Sequence, residues 1–344
     1  MTASSPTHMR REIEEIPAAV TRLLERSDAD LRAAGALLAE RDPAVLVTVA
    51  RGSSDHAATF LKYACEITAG VPVASLGPSI ASIYHAKLRL ERAGCLAVSQ
   101  SGQSPDIVAM AKSVREAGAA TVALTNVEGS PLAAACDGNV ALQAGPEKSV
   151  AATKSFVTAI VAGLAILGHW RADDRLLEAL SALPQHFEAA IACDWSAFVE
   201  ALSHRDSLFV LGRGPAAAIA AEAALKFKET CGMHAEAYSA AEVLHGPVAI
   251  VGKGFPVLGL VARDAAEESA VDTLARIEKQ GGSVFATTGR IASGTGLPFV
   301  ETGHALTDAL ALSVSFYGFV EALARSRGLD PDSPPHLRKV TETV

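Results

Sequence analysis

No cysteine pair in this chain has the spacing of a metal site or a redox motif. The five cysteines, Cys65, Cys95, Cys136, Cys193 and Cys231, are odd in number and widely scattered, which argues against a disulfide framework and against structural zinc. Such usage fits a reducing cytoplasm. No H-E-x-x-H occurs either, so neither a metal nor a cofactor is expected. Basic runs and aromatic-interleaved basic patches are missing, and the formal net charge is −8 with a pI near 5.7. Nucleic acid is therefore excluded as the main partner. Gly52, Gly102 and Gly214 belong to no G-x-G-x-x-G, and no G-x-x-x-x-G-K-[ST] exists, so a nucleotide fold is not indicated. Gly212-Arg213-Gly214 with Ala217 at the third-glycine position is a lone match of low specificity. Apolar segments are broken by Gly, Pro or charge before 18 residues, so no membrane span or membrane partner is expected. The opening MTASSPTHMRREIEE lacks the apolar stretch of a signal peptide.

What remains is a chain of 344 residues, 49% hydrophobic and 20% charged, long enough for two domains and a large buried core. Arg10 to Glu40 has helical apolar spacing, with a break or kink predicted at Pro17. From Ala44 onward, short apolar runs alternate with small polar turns and helices. Strands are predicted at Ala44–Ala50, Val71–Leu76, Gly94–Val98, Ala120–Leu124 and Asn139–Gln143, followed by a long helix from Val150 to about Trp170. Residues 171–200 are charged and helical, a connector. The plan then repeats, with strands at Ser207–Leu211, Phe255–Val261, Ser283–Thr287 and Leu297–Val300, and helices at Ala265–Lys279 and Leu306–Gly328. Strand–helix alternation over short turns implies a doubly wound parallel sheet. The repeat, with a period of roughly 160 residues, implies two copies of one α/β unit. The last stretch holds Pro331, Pro334 and Pro335 and is predicted to be extended.

Two stretches carry chemistry. Ser99-Gln100-Ser101-Gly102-Gln103-Ser104 follows a predicted strand and precedes Pro105. Ser104 suits an N-cap and Pro105 a first helical position. Hydroxyls and free backbone N–H groups beside a positive helix end make an anion site. Ser53–Ser54 and Ser130–Pro131 repeat the arrangement at other strand ends. Serine and glycine are also ordinary turn residues, but several such turns on one sheet edge favour a phosphorylated small molecule. The second stretch is Glu222–Pro247. Glu222, Lys226 and Glu229 share one side of a predicted helix that ends near Gly232. Ile219, Ala223 and Phe227 face a core. An irregular segment is predicted to follow, holding His234, Glu236, Glu242 and His245. A carboxylate and a lysine on one turn with a returning histidine form an acid–base kit. A surface helix with an i,i+3 salt bridge and a loop histidine accounts for the same residues.

Taken together, SQSGQS (99–104), AGPEKSVAATKSF (144–156), LGRG (211–214), ALKFKE (224–229), HAEAY (234–238) and LHGP (244–247) resemble the sugar isomerase (SIS) half of glucosamine-6-phosphate synthase. MRREIEEIPAAV and PPHLRKVTETV are similar to that half's two ends, so the resemblance runs from about residue 9 to 344. It implies an α/β fold of two tandem SIS domains, each a five-stranded parallel sheet flanked by helices. The segments expected are an N-terminal tail and helices (1–40), a first domain (41–170), a helical connector (171–200), a second domain (201–329) and a C-terminal tail over the active site (330–344).

The resemblance also implies roles. Ser99, Gln100, Ser101 and Ser104 would hold the sugar phosphate, with Ser53, Ser54, Val150 and Ala152 nearby. Glu229 would move a proton between C1 and C2, His245 would open the ring from the neighbouring subunit of a homodimer, and Lys226 matches a lysine beside the glutamate. Lys339 matches a tail lysine able to form a Schiff base with an open-chain ketose, chemistry suited to a neutral amine. His234 and Glu236 are read as fixing a loop, His56 and His85 as surface or core residues, and Lys148 and Lys154 as structural.

Departures from the synthase are informative. Thr2 follows Met1 where the synthase has its nucleophilic cysteine, so glutamine-dependent synthesis is not expected of this chain alone. Ala152 stands where the synthase has serine, and Pro334-Pro335-His336 where it has Pro-Arg-Asn. The pattern resembles stand-alone deaminases that convert glucosamine 6-phosphate to fructose 6-phosphate and ammonia. Alternatives are a fructosamine-6-phosphate deglycase, ammonia-dependent synthesis in the reverse, aminotransferase-like direction, and a non-catalytic sugar-phosphate-binding regulator.

Overall fold

The computed structural model describes residues 6–339. Three helices open it: α1 (His8–Glu14), α2 (Ile16–Arg26) and α3 (Asp28–Arg41). The predicted break falls at Glu15, and Pro17 is the second residue of α2, in the first turn where its missing N–H is not required. The first sheet comprises β1 (Val45–Val49), β2 (Val73–Ser75), β3 (Ala93–Ser99), β4 (Ala120–Thr125) and β5 (Gly138–Ala141). Its connecting helices are α4 (Ser53–Thr68), α5 (Ser79–Ser82), α6 (Pro105–Glu116) and α7 (Pro131–Ala135), and α8 (Lys154–Arg171) follows. Then come α9 (Asp174–Ser181), α10 (Leu183–Ile191) and α11 (Ser196–Leu202). The second sheet contains β6 (Ser207–Gly212), β7 (His234–Ser239), β8 (Pro256–Gly259), β9 (Ser283–Ala286) and β10 (Thr295–Gly296), with α12 (Pro215–Cys231), α13 (Glu267–Gln280) and α14 (Ala305–Ser326).

Both sheets are five-stranded and parallel, in the orders β2-β1-β3-β4-β5 and β10-β9-β8-β6-β7. The strand order reverses direction between β1 and β3 in one and between β6 and β8 in the other. Ligands of doubly wound sheets bind outside the carboxyl ends of the strands at that switch point.

The chain forms two compact units. One contains the first sheet and is built from Ile16–Glu147 and Lys154–Pro184. The other contains the second sheet and is discontinuous: it gathers Gln185–Lys339, Lys148–Thr153 and the N-terminal stretch ending at Glu15. In this second unit α1 packs on α14, and the Arg10 guanidinium pairs with the buried Glu321 carboxylate at 2.6 Å. Among the described residues α14 alone is long and apolar enough to cross a bilayer, but it is 94% buried within the fold, the mark of a core helix.

Four sequence expectations need correction. Residues 234–239 are not irregular: they form β7, an edge strand that among the described residues pairs only with β6. Alanine and glutamate there carry little strand signal. The last strand is Thr295–Gly296 rather than Leu297–Val300. Pro298 has no N–H for a ladder, and its carbonyl accepts from the Trp195 indole at 2.8 Å. The long central helix starts at Lys154 rather than Val150. The Glu147 carboxylate caps it there, accepting from the Ser155 N–H at 3.1 Å and hydroxyl at 2.6 Å. Finally, the helix carrying Lys226 is no surface helix, since that side chain is fully buried.

Candidate functional site

In the unit of the first sheet, the switch point is flanked by the turns after β1 and β3. Gly52 adopts φ +54°, ψ −134°, a conformation that only glycine enters readily, and delivers Ser53 and Ser54 as the first residues of α4, both half-buried. Arg51 beside them pairs with the buried Asp106 carboxylate at 3.1 Å. The Ser99–Ser104 turn is held by its own hydroxyls. Ser99 Oγ accepts from the Gly102 N–H at 3.1 Å, and Ser101 Oγ from the Gln103 N–H at 3.3 Å. The Gln100 carbonyl accepts from the Asn126 N–H at 3.0 Å. Gly102 sits at φ +62°, and a Cβ there would lie 2.3 Å from Ser130 Oγ, so the turn is locked against the next one. Ser104 occupies the N-cap of α6 with Pro105 behind it, but its hydroxyl makes no capping bond. It is oriented otherwise than an N-cap serine usually is.

In the other unit, Lys226 is fully buried and ion-paired twice on its own helix, to Glu229 at 2.5 Å and to Glu222 at 3.2 Å. The Tyr317 hydroxyl donates to Glu222 at 3.2 Å. Burial alone would pull the Lys226 ammonium down, but the two carboxylates outweigh it and hold its pKa above the usual lysine value. Glu229 is the end of this buried line that meets solvent, with a side chain 21% exposed. It lines a cavity of about 410 Å³ together with Lys228 and Thr230. The opposite wall is the C-terminal tail, through Asp330, Ser333, Pro334 and Leu337. Lys339, the last described residue, is half-buried.

His245 is exposed, at the end of a 3₁₀ turn (Glu242–His245), and it does not join Glu229. Residues Ala240, Val243 and Val251 of its connection pack with Phe209, Leu211, Val257, Val284 and Ala286 and with α13. Phe285, between the last two, points to the other face and packs at a tilt against Phe198, which stacks on Phe319, which meets Phe227 of α12 edge-on. The second sheet therefore lies between Glu229 and His245 of one chain.

Val150 and Ala152 lie in the turn before α8. The Glu12 carboxylate accepts from the Lys148 and Ser149 N–H groups, and the Asp332 carbonyl accepts from the Val150 N–H at 3.2 Å. Sequence reasoning missed Glu12, Asp332 and Arg51. Partners of the first two lie more than a hundred residues away, where local pattern carries no signal; Arg51 was visible only as part of a turn. His234 begins β7, with Nδ1 3.4 Å from Ser207 Oγ, and Glu236 accepts from the Tyr238 hydroxyl at 2.8 Å. His56 lies half-buried on α4, His85 is exposed, and Lys154 is buried. Among the described residues no group of three or more His, Cys, Asp or Glu is placed to hold a metal ion.

Two parallel α/β units, one with serine turns at its switch point, define the class of doubly wound proteins with a candidate anion site. The SIS domain model matches residues 41–167 and 201–293, and the chain belongs to that family. It is 31% identical to the glutamine–fructose-6-phosphate aminotransferase (isomerizing) of Sulfolobus acidocaldarius, an alignment covering 98% of this chain and 57% of that protein. The chain thus spans a little over half the length of the curated relatives it matches. A solved structure from Silicibacter pomeroyi, described as a candidate phosphosugar isomerase, is 57% identical, with a TM-score of 0.92, covering 95% of this chain and 100% of that one. The C-terminal domain of glucosamine-fructose-6-phosphate aminotransferase from Francisella tularensis is 26% identical, with a TM-score of 0.87, covering 97% and 100%.

Proposed function

We propose that this chain interconverts an amino-sugar phosphate and a ketose phosphate, in the direction glucosamine 6-phosphate plus water to fructose 6-phosphate plus ammonia. The observation that carries the reading is Glu229: a carboxylate with one edge on a buried, charged lysine and the other in a cavity of sugar-phosphate size. Pockets of a few hundred Å³ suit ligands of this class. Ser99, Gln100, Ser101 and Ser104 hold the phosphate through hydroxyls and backbone N–H groups, with Ser53 and Ser54 at the neighbouring turn and Val150 and Ala152 against the sugar. Glu229 takes the proton from C2 of the open-chain imine-forming sugar and returns it to C1. The product, an imine at C2, adds water, and the C2–N bond breaks to give the ketone and ammonia.

His245 assists ring opening by proton transfer to the ring oxygen. Its separation from Glu229 of its own chain supports a reading in which it acts from a second copy, in a homodimer. Lys339 on the tail contacts the open-chain carbonyl. The family relationship and the SIS-type isomerase relatives support an enzyme over a non-catalytic regulator.

The test is ammonia release from glucosamine 6-phosphate by the purified chain, with fructose 6-phosphate measured in parallel. Equal amounts of both are expected. A folded protein that releases neither overturns the proposal, and release only from an N-substituted fructosamine phosphate would reassign it as a deglycase.

A further inference from the structure

Asp332 spans three segments of the second-sheet unit that are remote in sequence. Its carboxylate accepts the N–H of His8 through Oδ2 and of Met9 through Oδ1, each at 2.7 Å. Its carbonyl accepts the Val150 N–H at 3.2 Å. One residue earlier, the Pro331 carbonyl accepts from the Ser149 hydroxyl at 3.3 Å. From the other side, Glu12 of α1 takes the N–H groups of Lys148 and Ser149. The turn carrying Val150 and Ala152 is thus clamped between α1 and the tail. Immediately beyond the clamp, Ser333, Pro334 and Leu337 form a wall of the cavity that Glu229 lines.

We infer that Asp332 is a positioning residue: it docks the tail across the Glu229 cavity and sets the Val150–Ala152 turn at the same time. The inference rests on the reaction proposed above for its kinetic consequence, but not for the docking itself. A carboxylate accepting two backbone N–H groups at 2.7 Å makes short, charge-assisted bonds. The tail has no regular secondary structure from Gly328 to Lys339, so little else of local origin holds it. Substrate that needs this wall would meet a looser cavity once the carboxylate is removed, which raises KM more than it lowers kcat.

The experiment uses the full chain and the variants Asp332→Ala and Asp332→Asn. Trypsin reports the tail directly, because Arg338 is exposed and Lys339 follows it. Losing two charge-assisted bonds should raise the rate of tail cleavage by about ten- to a hundredfold. Asp332→Asn keeps one acceptor oxygen and turns an NH₂ toward the other N–H, so its rate should fall between wild type and Asp332→Ala. With glucosamine 6-phosphate, KM should rise in the same order while the thermal midpoint stays within a few degrees. Cleavage of both variants at the wild-type rate overturns the clamp. Faster cleavage with unchanged KM and kcat overturns the positioning role. If Asp332→Ala does not fold, Asp332→Asn decides by the same two readings. If wild type does not turn over the amino-sugar phosphate, the proposed reaction falls, and the trypsin rates decide the docking alone.

Discussion

Lys226 sits between two carboxylates with no access to water, and removing one member of such a group leaves the others uncompensated. Lys226→Met should cost about 3–5 kcal/mol of stability, read as a lowered denaturation midpoint, and adding Glu222→Gln should recover part of the loss. Because the folded state raises the lysine pKa, its contribution is complete below the unfolded lysine value, about 10.4. It is lost as pH climbs through the higher folded value. Wild type should therefore lose stability in that alkaline window more steeply than Lys226→Met. Glu229→Gln should lower turnover by about 10²–10⁴ and leave fructose 6-phosphate binding, measured by calorimetry, nearly intact. The thiols behave differently. Burial pushes Cys65 up to about 12 and Cys136 and Cys231 to about 11, and raises Cys95 as well. Only thiolate reacts quickly, so a thiol reagent at neutral pH should label the half-buried Cys193 first and the other four only on unfolding. Of the candidate site residues, those in compact motifs, Ser99–Ser104 and Lys226–Glu229, could be proposed from the sequence. Glu12 and Asp332 were not, because an isolated acid looks the same whether it meets water or a distant backbone.

At the scale of elements, glycine and proline punctuation located most boundaries. Pro105, Pro131 and Gly232 each mark a helix end as the structure has it. The failures occurred where a tertiary partner decides. Glu147 caps α8 four residues later than its apolar pattern begins, and β7 exists because β6 offers it a ladder. Gly102 is where one residue governs a whole turn. Gly102→Ala would place a side chain at positive φ and against Ser130, at a cost of roughly 1–3 kcal/mol. The expected signature is a higher KM for the sugar phosphate with a lower thermal midpoint. An unchanged KM would remove this turn from the binding site.

For the molecule as a whole, the two-sheet plan and its parallel strands followed from strand–helix alternation. The weaving of the chain did not, since α1 and the Lys148–Thr153 turn join strands that come much later in sequence. The position of the sheet between Glu229 and His245 gives a prediction at this scale. Glu229→Gln and His245→Ala, each inactive alone, should regain activity when their subunits are exchanged, because a mixed dimer restores one site with both native groups. Subunit mixing that leaves ammonia release at background would place both residues' chemistry within a single chain.

The discontinuity of the second-sheet unit also orders events in time. His8 and Asp332 are 324 positions apart, so a ribosome adding about 5–20 residues per second exposes α1 for tens of seconds before its partner exists. Throughout that interval α1 can meet the Lys148–Ser149 backbone through Glu12 but not the carboxylate that caps its first turn. In nascent chains α1 should stay more open to proteases than the first-sheet unit until Asp332 has emerged.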